Sequence, residues 1–166
     1  RDWSSDVCSS DLVGVTALSH KVITHLLWGI YLEGEKMGLD IAMLQKPETS
    51  GGEKVPWTTT QVYEEIKNSI TKMNVIAGTS KMWANEVLEK SVDYLFVDEA
   101  GQLSLVDTLV CCFATKNLVL IGDPQQLRQP IQGVHPDGID VSALEHIFQG
   151  EKTISPEQGI FLGITW

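Results

Sequence analysis

The sequence predicts an α/β domain of three layers, a parallel sheet with helices on both faces. Three observations lead there. Near-continuous apolar runs of strand length recur along the chain, amphipathic helical stretches alternate with them, and the runs stop abruptly at glycine or at acidic residues. Strands buried on both faces lose the polar alternation of a half-exposed sheet, which is why continuous runs point to parallel pairing. The chain has 166 residues, 43% hydrophobic and 20% charged. That is the balance of an ordinary globular domain, long enough for roughly one core.

Residues 13–17 form a short β-prone run. Ser19 follows as an N-cap before Val22, Ile23, Leu26, Leu27 and Ile30, which lie on one helical face. Residues 41–44 form a second run of strand length, and residues 48–57, with Ser50-Gly51-Gly52 and Pro56, read as a loop. Thr58-x-x-Gln61 has the pattern of a capping box opening a helix through Val62, Ile66 and Ile70. Residues 74–77 are a buried-type strand ending at Gly78-Thr79, and a helix from Ser80 carries Met82, Trp83 and Val87. Residues 94–97 are a strand ended by Asp98-Glu99, followed by a helix through Leu103, Val106, Leu109 and Val110. Residues 118–121 close on Gly122-Asp123-Pro124, and no internal repeat or low-complexity tract occurs.

Composition excludes several classes. No stretch approaches the ~20 apolar residues of a membrane span. Cys8, Cys111 and Cys112 are too few and too badly spaced for a disulfide framework or a zinc ribbon. Cys111 and Cys112, inside an apolar run, read as buried thiols of a reducing, cytoplasmic compartment. His25, His135 and His146 lack metal-ligand spacing, and Trp28 and Trp83, lying in apolar helical series, read as core residues rather than base-stacking platforms. The net charge of -10 argues against a free-standing nucleic-acid binder, which normally carries a basic face.

Residues 1–12, RDWSSDVCSSDL, repeat Ser-Ser-Asp, show no apolar period and lack the order of a signal peptide. They resemble the translated frame of a sequencing-library adapter, with a genuine disordered tail as the alternative. The expected organisation is therefore an artefactual, disordered 1–12 and a domain over 13–166, truncated at its start. Without the one Arg and three Asp of that stretch, the domain keeps 11 basic and 19 acidic residues, a net of -8.

In open α/β sheets, ligands bind at the carboxyl ends of the strands. Leu95-Phe96-Val97-Asp98-Glu99-Ala100-Gly101-Gln102 is a hydrophobic strand ending in two adjacent carboxylates. One carboxylate can hold Mg²⁺, usually through water because the ion dehydrates reluctantly, while the other orients and deprotonates a water. The competing reading is that Asp98 and Glu99 cap the next helix, whose N-terminal dipole favours negative charge. Val119-Leu120-Ile121-Gly122-Asp123-Pro124-Gln125-Gln126-Leu127 is a second buried strand breaking into polar residues, with Asp123 alternatively a turn residue before Pro124.

Taken together, these segments resemble superfamily 1 helicases. Asp98-Glu99-Ala100-Gly101-Gln102 is similar to their motif II, the Walker B box, and Gly122-Asp123-Pro124-Gln125-Gln126-Leu127 to their motif III. VGVTALSHKVI, residues 13–23, is similar to motif Ia, and Val75-Ile76-Ala77-Gly78-Thr79 to the next strand-end element that touches nucleic acid. The likeness is to the 5′→3′-type branch, in particular to bacterial fusions of a RecB-like nuclease with a helicase. It extends through Gly133-Val134-His135-Pro136 and Ser142-Ala143-Leu144-Glu145, covering essentially residues 13–166.

The resemblance implies a partial RecA-like P-loop NTPase domain using ATP and Mg²⁺. It implies that Asp98 holds the magnesium through water and that Glu99 polarises the hydrolytic water. Gln126 would sense the γ-phosphate, with Gln102 and Asp123 supporting the nucleotide site. Ser19, His20, Lys21, Gly78 and Thr79 would contact the backbone of single-stranded nucleic acid, DNA rather than RNA, gripping phosphates without reading sequence. Ser19 and Thr79 could equally be helix caps, and His20 and Lys21 solvated first-turn residues.

Nucleic acid in these motors crosses two RecA-like domains and their insertions, so an acidic balance in one piece is compatible with the assignment. No G-x-x-x-x-G-K-[ST] run occurs in the chain. Arg128 stands where the family resemblance leads one to expect proline, and an arginine-bearing motif and second RecA-like domain would follow Trp166. The expectation is an ATP-dependent helicase or translocase as the parent and an inactive isolated chain. The alternative is a non-catalytic, receiver-like regulatory module with Asp98 as its acidic residue.

Overall fold

The structure, a computed structural model, describes residues 11–49, 54–123 and 141–148, together with 154, 155, 157, 159 and 160. Six strands, β1 (Val13–Thr16), β2 (Met43–Gln45), β3 (Thr58–Thr59), β4 (Val75–Ala77), β5 (Val92–Val97) and β6 (Thr115–Leu120), form one sheet in the order β3-β2-β4-β1-β5-β6. Every neighbouring pair is parallel, as the continuous apolar runs predict.

Helix α1 (His20–Met37) covers one face of the sheet, its Ile23 and Leu27 packing with Val15, Met43, Val75 and Trp57. The other face is covered by α2 (Tyr63–Ser69), α3 (Ser80–Trp83) and α4 (Leu105–Cys112), which bring Ile66, Met82, Trp83 and Cys111 onto Leu44, Ile76 and Leu95. Gly14 is required by this second layer, because a Cβ there would come within 2.7 Å of Leu95 Cδ1 and 3.0 Å of the Trp83 ring. Helix α5 (Ala143–Phe148) adds Leu144 to a third cluster with Val97, Ala100 and Leu103. Ser142 and Glu145 cap α5 reciprocally, the Ser142 amide donating to Glu145 and the Glu145 amide to Ser142 Oγ.

Four expectations need correction. Thr58-x-x-Gln61 is not a capping box: Thr58 and Thr59 pair with Leu44 and Gln45 of β2, so the helix starts only at Tyr63. Thr60 instead accepts from the Val62 amide, and the Gln61 side chain donates to the Glu48 carbonyl. The helix from Ser80 ends at Trp83, and Asn85 then caps a separate 3₁₀ turn over Glu86–Leu88. Cys111 is buried but Cys112 is exposed, since adjacent helical residues point about 100° apart. Burial, with help from Asp107, pushes the Cys111 thiol up to about 12. Finally, Leu12, set apart in sequence with residues 1–11, is only 8% exposed and packs in the core. Residues 1–10 lie outside the described residues.

Asp93 fastens that start of the chain. Its carboxylate accepts from the Leu12 amide at 3.0 Å and from Lys116 Nζ at 2.7 Å, while its own amide donates to the Leu12 carbonyl at 2.9 Å. The lysine hydrogen bond first, then the Leu12 amide, hold the Asp93 pKa below its usual 3.8. A depressed folded-state pKa means that the stabilisation is present above 3.8 and is lost as pH falls through the folded value. Melting temperature should therefore fall more steeply with acid in the wild type than in D93N, which should be less stable at neutral pH. Parallel curves in a thermal-melt series from neutral pH to below the Asp93 transition would contradict this clamp.

Candidate nucleotide and nucleic-acid site

Because all six strands run the same way, their carboxyl ends gather on one edge of the sheet. β5 leads into a turn over residues 98–102, and Asp98 and Glu99 are half-buried there. They do not cap the next helix. α4 begins at Leu105 and is capped by Ser104, whose Oγ accepts from the Asp107 amide at 3.0 Å. Among the described residues neither carboxylate has a hydrogen-bond or ion-pair partner.

The ends of β5 and β6 are locked together through backbone. The Ala100 amide donates to the Ile121 carbonyl and the Ile121 amide to the Val97 carbonyl, both at 2.9 Å. A Cβ on Gly101 would lie 2.6 Å from the Asp123 carbonyl oxygen, and one on Gly122 would lie 3.0 Å from the Ala100 nitrogen. A side chain at either glycine would block this approach, which sets the middle of the 98–102 turn, Ala100-Gly101, against Gly122 and Asp123. The structure thus brings together the two segments singled out in sequence. Gln126, with Arg128 and the segment 133–136, lies outside the described residues.

Glu99 has a φ of +53°, the left-handed region that a side chain adopts only at a cost. Two adjacent, unpaired, half-buried carboxylates are a suitable oxygen donor set for Mg²⁺, which keeps several waters and needs only one or two carboxylates. The two carboxylates therefore fit a magnesium ion that keeps most of its waters.

The candidate nucleic-acid residues occupy the neighbouring strand ends. Asp98 is tied to β1 by its amide, which donates to the Thr16 carbonyl at 2.9 Å. Beyond β1, Ser19 is the N-cap of α1, its Oγ accepting from the Val22 amide at 3.3 Å. Lys21 is exposed. His20 is half-buried, its Nδ1 has no hydrogen-bond partner, and burial, outweighing nearby Glu48, lowers its pKa below 6.5. At the end of β4, the Gly78 amide is engaged by the Val15 carbonyl at 3.1 Å, and its carbonyl accepts from Trp83 Nε1 at 3.1 Å. Thr79 stands at the N-cap position of α3, yet its side chain makes no capping bond.

Sequence reasoning placed Trp83 and Trp28 alike in the core. Trp83 is there, 1% exposed, whereas Trp28 is half-buried and lines a cavity with His20 and Lys21. The legible signal was the i, i+4, i+8 series His20, Thr24, Trp28, which sets two polar groups and a ring on one helical face. Among the described residues no group of three or more acidic, histidine or cysteine side chains could hold a metal, and no helix is long and apolar enough to cross a membrane.

A parallel α/β sheet with these strand ends is consistent with a partial RecA-like P-loop domain. The model of a family described as AAA domain matches residues 36–131, more than half of the chain. The chain belongs to that helicase-like AAA domain family. No curated protein matches it.

The strain at Glu99 gives a stability test. Its side chain has no described partner to lose, so E99G should raise stability by up to about 1 kcal/mol by relieving the left-handed backbone. E99A, still strained, should not. Thermal or urea melts compare the two, and a destabilised E99G would contradict the strain.

Proposed function

We propose that the chain is part of an ATP-driven helicase or translocase that moves 5′→3′ on single-stranded nucleic acid, DNA rather than RNA. The observation that carries this reading is the close backbone contact between the Asp98–Gln102 turn and Gly122-Asp123, which leaves two unpaired carboxylates at a strand end. Bound Mg–ATP would supply the phosphoanhydride and the cation. Asp98 would hold the magnesium, and Glu99 would orient the hydrolytic water and take its proton. Gln102 and Asp123 support the nucleotide, and Gln126 reports loss of the γ-phosphate. Ser19, His20, Lys21 and the Gly78-Thr79 strand end grip the phosphates of the single strand.

The site also needs a phosphate cradle, and this sequence has no G-x-x-x-x-G-K-[ST] run. Among the described residues β6 pairs only with β5. Its Leu118, Val119 and Leu120 are half-exposed, and Ile121 is 44% exposed. An apolar edge left unpaired among the described residues invites pairing, and in this reading it takes the strand leading to the cradle. A second RecA-like domain completes the motor, and a RecB-like nuclease is its fused partner. Family membership favours this reading over a receiver-like module.

The purified chain should show no ATP hydrolysis under single-turnover conditions. It should bind a short single-stranded oligonucleotide with affinity that falls as salt rises, and K21A should lower the log–log slope by about 0.7, the loss of one phosphate contact. Hydrolysis by the isolated chain, or salt-independent binding, would contradict the reading.

A further inference from the structure

Next to the strand ends lies a cavity of about 600 Å³ that the nucleotide reading does not use. Its lining includes His20, Lys21, Thr24, His25, Trp28 and Gln45, and its size is that of a small-molecule site. The Trp28 ring is held in place by edge-on neighbours, with centroids 5.1 Å from Trp57 and 5.8 Å from Tyr31.

A chain of buried and half-buried hydrogen bonds fixes the polar wall. Trp57 Nε1 donates to Gln45 Oε1 at 2.9 Å, Gln45 Nε2 donates to Thr24 Oγ1 at 2.8 Å, and Thr24 Oγ1 donates to the His20 carbonyl at 2.9 Å. Gln45 is only 3% exposed. An amide side chain offers two donor hydrogens and an acceptor oxygen with two lone pairs, so this chain leaves one donor and one acceptor direction on Gln45. His20 Nδ1 adds a buried ring nitrogen without a partner. Glu48 also lines the cavity. The wall thus carries both signs of charge and does not favour a free anion. A neutral, flat ligand with hydrogen-bonding edges matches it better.

We propose that this cavity receives one base of the bound single strand, packed against Trp28, while exposed Lys21 meets a neighbouring phosphate. The proposal rests on the nucleic-acid reading above and adds to it a contact with the base. Aromatic packing of this kind tolerates any base, as a motor stepping along a strand requires.

The test compares binding of a short oligothymidylate with an abasic tetrahydrofuran strand of equal length at one salt concentration. The wild-type chain should prefer the thymidylate by on the order of tenfold. That ratio should collapse towards one in W28A and largely return in W28F. Equal binding of both strands by the wild type, or an unchanged ratio in W28A, would overturn the base contact and leave the nucleic-acid reading standing. Binding to neither strand would overturn both. If W28A does not fold, ultraviolet crosslinking of a 5-iodouracil strand decides: an adduct at Trp28 or His20 supports the proposal, and adducts only outside the cavity lining overturn it.

Discussion

The candidate site depends on the close approach of two turns at the carboxyl edge of the sheet. The hydrogen bond from the Ala100 amide to the Ile121 carbonyl contributes only about 1 kcal/mol, but it positions much more. With Gly101 and Gly122 leaving no room for a side chain, it fixes the carboxylate-bearing turn against the end of β6. The Asp98 amide joins the same turn to β1, and the Gly78 amide joins the end of β4 to β1. One edge of a parallel sheet therefore holds the acidic pair and the candidate phosphate-gripping residues in a fixed relation.

The two ends of the sheet are built differently. At its amino edge, Asp93 satisfies Leu12 and Lys116 and ties β5 to its surroundings. At the carboxyl edge the structure tolerates a left-handed Glu99, an unpartnered Thr16 Oγ1 and an unpartnered His20 Nδ1. Lys90, with a φ of +49°, and the unpartnered Ser91 Oγ lie before β5, away from that edge. Strain and unmet polar groups tend to collect where ligands bind, and of those here Glu99 and His20 are among the residues proposed to touch nucleotide and strand.

Much of the fold was legible because buried parallel strands write themselves as continuous apolar runs. β1, β4, β5 and β6 all fall on such runs. The misreadings share a cause: local patterns that tertiary pairing overrides. Thr58 looked like a cap until β2 claimed it as a strand residue, and the Ser80 helix was cut short where Asn85 offered a cap of its own. The order of Asp98, Glu99 and Gly122 in sequence marked the site, but neither the positive φ of Glu99 nor the contact of Gly101 with Asp123 has a sequence signature. Trp28 was hidden for a related reason, since an apolar helical series does not say which of its members stops short of the core.

The central claim is that the Asp98-Glu99 strand end belongs to an ATP-driven nucleic-acid motor. Sequencing the source locus upstream of the core residue Leu12 tests it most directly. The account predicts an in-frame G-x-x-x-x-G-K-[ST] loop before Leu12. A locus with no such loop upstream would contradict the motor.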